Sequence, residues 1–127
     1  MFKVLWVGLG GFGGAISRYL ISGLVQNLTK SVSFPHGTLS VNMIGCYLIG
    51  LLSYLVESQA GITAEMRLLL MVGFLGSFTT YSTFSNETMN LIQDQRLVLA
   101  LINILIHIIL GLAAVLLGRF TVTAIWR

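Results

Sequence analysis

Apolar residues run along this chain in four long stretches, approximately 4–25, 38–56, 66–92 and 97–126, separated by short polar connections. A helix crossing a hydrocarbon core of ~30 Å needs roughly 20 apolar residues. Each stretch therefore predicts a transmembrane helix, and residues 1–127 read as a single integral membrane domain of the all-α class. The third and fourth stretches are longer than required, which predicts tilt, a break, or ends standing in the interface. The first connection, from Gln26 to Gly37, holds the only proline, Pro35, and reads as a loop followed by a helix start.

Composition agrees with a lipid environment. Hydrophobic residues make up 56% of the chain and charged residues 9%, against about 25% charged in an average soluble domain. A soluble fold of this size would expose apolar patches that soluble monomers rarely carry. The net charge of +3 is spread without a Lys/Arg cluster, so there is no nucleic-acid footprint. Cys46 is the only cysteine, which leaves no intrachain disulfide and no zinc spacing. Lys3 followed by apolar residues imitates a secretory signal, but no soluble domain follows and the segment reads as the first span.

An even number of spans puts the N-terminus, the middle loop and the C-terminus on one side, with Lys3, Arg67, Arg119 and Arg127. The other side carries Arg18, Lys30 and Arg96. Orientation follows the Lys/Arg bias of short loops, and here that bias is weak, with Arg119 too deep to count fully. This predicts insertion in both orientations and hence an antiparallel, dual-topology homodimer.

Gly8 to Gly13 match G-x-G-x-x-G, but a dinucleotide site needs an acidic residue about 20 positions on. The first acidic residue is Glu57. Gly10 and Gly14 instead have the G-x-x-x-G spacing that lets membrane helices approach closely. Arg18, one turn further, either snorkels to the interface or lines a water-filled mouth.

The third stretch contains Gly73, Gly76 and then six hydroxyl residues within nine positions: Ser77, Thr79, Thr80, Ser82, Thr83 and Ser85. One or two such groups back-bond to their own helix; six predict something more. Non-helical backbone at membrane depth is tolerated where it is buried in protein or lines a cavity, and transporters use broken helices there to hold ions with freed carbonyls. Gly76 followed by Thr79 and Thr80 predicts a break in mid-membrane, with main-chain oxygens suited to a hard cation. Thr38 and Asn42 share a face of the second span, as do Asn103 and His107 of the fourth, each pair being four apart. Alone, Asn42 reads equally as an interhelical hydrogen bond and His107 as a bonded core residue. In company they outline a polar track.

Gly37-Thr38-Leu39-x-Val41-Asn42, Gly73-Phe74-x-Gly76 and Thr79-Thr80-Tyr81-Ser82-Thr83-Phe84-Ser85 with Glu87 resemble the CrcB/Fluc family of fluoride channels. The glycine-rich first span ending in Arg18 and the four-span plan do so too. The resemblance implies a dual-topology homodimer with two antiparallel pores, in the inner membrane of a bacterium. It implies a structural sodium ion at the dimer centre, bound by the backbone carbonyls of Gly76 and Thr79 from both subunits. Asn42, Tyr81 and Phe84 would border the fluoride path and Arg18 its vestibule, with Thr38, Thr83, Asn103 and His107 completing the candidate pathway. The chain departs from the family pattern at Tyr81, where phenylalanine is more usual, at Ser77, where glycine often stands, and at Gly111, a serine in some members.

A proton-coupled multidrug exporter is the alternative from another class. It needs a carboxylate deep in the membrane, whereas the first span has no Asp or Glu and Glu87 lies past the polar run. A packing subunit would explain the glycines without the polar run. No nucleophile and base point to an enzyme.

Overall fold

The computed structural model describes residues 2–58 and 60–125. The expected end of the fourth span at Trp126 and the charge counted at Arg127 lie outside the described residues. Among the described residues, four helical runs are long and apolar enough to span a bilayer: Phe2–Thr29, His36–Glu57, Ala64–Gln93 and Leu97–Ile125. We label the first two α1 and α2. The third is divided into α3 (64–78) and α4 (Tyr81–Gln93), and the fourth is α5. Helix extends past the predicted apolar windows, to Thr29 in the first run, because backbone groups leaving hydrocarbon still need partners. At that end the Thr29 hydroxyl lies 3.0 Å from the Val25 carbonyl, and Lys30 adopts φ 48°, the left-handed turn that commonly ends helices.

The G-x-x-x-G reading holds. A side chain at Gly10 would strike the Leu69 carbonyl and the Phe74 amide, and one at Gly14 would strike the Phe74 carbonyl and Ser77 Oγ. Gly73 meets α1 in the same way from the other side, at the Val7 carbonyl. What these glycines touch was not legible from their spacing. Residues Leu68–Leu75 of α3 form a π-helix, and the Leu69 carbonyl and Phe74 amide are five apart, the pair that an i→i+5 hydrogen bond joins. The widened turn therefore lies flat on the α1 glycines, and Ser77 fastens the seam with its hydroxyl 2.9 Å from the Gly11 carbonyl.

A second small-residue seam joins α2 to α5. Gly50 abuts the Val115 backbone and Gly118 the Tyr47 backbone. Lipid tails are as apolar as leucine, so close backbone packing of this kind is what holds membrane helices together. Between the seams lies a compact core of Val41, Leu75 and Phe78, with Phe74 and Phe78 stacked at 5.7 Å. At the outer end of the α2 and α5 seam, Arg119 forks onto Glu57 (3.1 and 2.6 Å).

Candidate functional site

The third run breaks where the hydroxyl residues begin. Thr79 (φ −80°, ψ 155°) and Thr80 (φ −148°, ψ 112°) are extended between α3 and α4. An extended pair at this depth would strand backbone groups, and each stranded group costs about 1–3 kcal/mol. Asn42 prevents this from α2: its Oδ1 accepts the Thr80 N–H at 2.9 Å and its Nδ2 donates to the Thr80 carbonyl at 3.3 Å. Thr80 then caps α4, its Oγ1 accepting the Thr83 N–H at 3.3 Å. The deep asparagine thus has a specific task, to complete the break.

These bonds release acceptors. In an unbroken helix the Thr80 N–H would close on the Gly76 carbonyl and the Thr83 N–H on the Thr79 carbonyl. Asn42 and Thr80 Oγ1 take those two donors instead. The two carbonyls singled out from the sequence as cation ligands are the ones relieved of their helical partners. Gly76 is exposed and has open space at its Cα, where an added Cβ would meet only the Met71 carbonyl at 3.9 Å. Neutral main-chain oxygens fit an alkali cation.

Two cavities flank the break and share Thr80 as a wall. One, of about 800 Å³, is lined by Asn42, Thr79, Tyr81, Phe84 and His107 among otherwise small or aliphatic residues, with no carboxylate, lysine or arginine. The other, of about 760 Å³, is lined by Arg18, Gln26, Thr38, Thr83, Glu87 and Arg96 among others. In the first, the Phe84 ring stands between Tyr81 (centroids 5.8 Å apart) and His107 (4.4 Å). Tyr81 is 80% exposed, so this aromatic row opens onto a bare face of the chain. In the second, Arg18 has no carboxylate within ion-pair distance among the described residues, whereas Thr38 donates to Glu87 Oε1 at 2.6 Å.

The structure therefore groups Asn42, Tyr81, Phe84 and His107 on one side of the break and Arg18, Thr38 and Thr83 on the other. Asn103 lines neither cavity. It is fully buried and donates to Thr88 Oγ1 at 2.9 Å, while Thr88 donates to the Phe84 carbonyl at 2.8 Å. Its own carbonyl lies 2.9 Å from His107 Nδ1 and can only accept, so the ring carries its proton there. Asn103 thus sets the orientation of the Phe84 and His107 segments from behind. Thr88 and Gln26 were not singled out from sequence. Thr88 is met by Asn103 from another helix and Gln26 bonds across a loop to Gly37, and only Glu87, adjacent to the motif, hinted that the polar run continues.

Comparison with known proteins follows this geometry. Residues 5–119 match the family described as CrcB-like protein, Camphor Resistance (CrcB). The "Fluoride-specific ion channel FluC" of Nitrosococcus oceani is 46% identical over 123 residues, 97% of each chain. The protein of the same name from Methanocaldococcus jannaschii is 45% identical over 98% of each chain. That from Ruminiclostridium cellulolyticum is 47% identical over 94% of this chain and 91% of its own. With a family match over nearly its whole length and full-length relatives at this identity, the chain belongs to the CrcB family.

Proposed function

We propose that this protein is a fluoride-specific channel of a bacterial cytoplasmic membrane, letting fluoride leave the cell passively and so lowering its toxicity. The observation that carries the reading is the cavity free of full charges at Asn42, Tyr81 and Phe84, which shares Thr80 as a wall with the Arg18 cavity. Fluoride is small and strongly hydrated, so a narrow path must replace its water with donors. Hydroxyls and the second N–H of Asn42 supply them. Aromatic edges are electropositive and attract an anion without trapping it, which conduction requires. Arg18 raises the anion concentration at the mouth. The exporter alternative is set aside, since the full-length relatives are named as channels.

Hydrogen fluoride enters through lipid and ionises in a neutral cytoplasm, and the anion cannot return unaided. An inside-negative potential favours its efflux by about 2.3 kcal/mol per 100 mV, so neither ATP nor proton coupling is needed. The functional unit is an antiparallel homodimer with sodium at its centre. The exposed Gly76 and Tyr81 on one bare face and the near-balanced Lys/Arg distribution support this. The released Gly76 and Thr79 carbonyls, doubled by two-fold symmetry, supply oxygens for the ion.

Liposomes loaded with potassium fluoride, potassium chloride and a small amount of sodium salt, and diluted into potassium-free medium, test the reading. Adding a potassium ionophore should empty the fluoride while chloride and sodium stay inside. Equal loss of chloride defeats the channel assignment, and sodium loss matched to fluoride defeats a structural sodium. Reporters fused after Arg127 should be found on both sides of the membrane; a single orientation unmoved by adding or removing one terminal Lys or Arg rules out dual insertion.

A further inference from the structure

Gln26 stands in the last turns of α1 and reads in the sequence as an ordinary polar residue at a helix end. Its carboxamide is nonetheless fully engaged. Nε2 donates to the carbonyls of Ser31 (2.5 Å) and Phe34 (3.2 Å), and Oε1 accepts the Gly37 N–H at 3.0 Å. The last of these bonds answers a local deficiency. The residue at the start of α2 is Pro35, which offers no side-chain cap, so the Gly37 amide is satisfied from a different helix. The loop and helix start held by these bonds, together with Gln26 itself, form part of the wall of the Arg18 cavity. The next residue, Thr38, is the 4% exposed donor to Glu87.

We infer that Gln26 is a positioning residue for ion access: it braces the Ser31 to Gly37 segment, holds the Arg18 cavity open, and sets Thr38 in register with Glu87. It touches no ion in this account. The inference rests on the proposal that fluoride passes through the Arg18 cavity, and the test separates the two. Gln26→Met keeps length and helix preference but deletes all three hydrogen bonds. Flux per folded protein should fall by about fivefold to tenfold, the scale of one lost cap, with the half-saturating fluoride concentration raised.

Thr38→Val should also lower flux, and because Gln26 acts through Thr38, the double variant should lose little beyond Thr38→Val alone. Fully multiplicative losses overturn the inference, as does normal flux in folded Gln26→Met. If Gln26→Met does not fold, Gln26→Glu serves: it keeps the acceptor for Gly37 and loses both donors, and unchanged flux in that variant overturns the inference equally. Normal flux in Thr38→Val, with wild type conducting fluoride, overturns the path through this cavity. Impaired Thr38→Val beside a normal Gln26→Met overturns the role of Gln26 alone.

Discussion

Phe84→Ile should leave a folded protein whose fluoride flux, measured in liposomes, is reduced by about tenfold or more, equivalent to at least about 1.4 kcal/mol along the path. Phe84 is the middle ring of the row, 5.8 Å from Tyr81 and 4.4 Å from His107. Isoleucine fills much of the same volume, and such swaps usually cost less than about 1.5 kcal/mol of stability. What it lacks is the electropositive ring edge. A packing role for Phe84 predicts a small stability loss with flux retained, so the two accounts part on flux. Tyr81→Phe, which keeps the ring and restores the commoner family residue, should conduct normally.

The second large effect is expected at Asn42, where two substitutions fail for different reasons. Asn42→Ala strands both the N–H and the carbonyl of Thr80, at about 1–3 kcal/mol each. It should lower the melting temperature markedly and abolish flux. Asn42→Asp retains an acceptor for the Thr80 N–H but turns a second oxygen on the Thr80 carbonyl and places a negative charge in the anion's cavity. It should fold better than Asn42→Ala and still conduct poorly. Thermal unfolding of both variants, run beside the efflux assay, checks the order. Normal flux in well-folded Asn42→Asp removes Asn42 from the path.

The features read correctly from sequence were those with a local chemical signature. The break was legible because six hydroxyls in mid-membrane have few other uses, and the α1 seam because Gly10 and Gly14 lie on one helix face. The π-helix was not legible. Leu68–Leu75 is uniformly apolar, and its widened turn shows itself only against the glycines of another helix. Asn103 and His107 looked like one track because they are four apart. In α5, however, apolar residues surround the helix on all sides, so the pattern sets no rotational phase. The structure turns His107 to the cavity and Asn103 to the interior. The partners Thr38 and Glu87, or Glu57 and Arg119, are 49 and 62 residues apart, and no spacing rule connects them.

Selectivity for fluoride is the central claim, and the reversal potential tests it most directly. With the purified protein in a planar bilayer, sodium fluoride on one side and equimolar sodium chloride on the other, current should reverse far from zero, with the sign that a much greater permeability to fluoride than to chloride sets. A reversal potential near zero, the mark of a pore that passes both anions alike, would contradict the account.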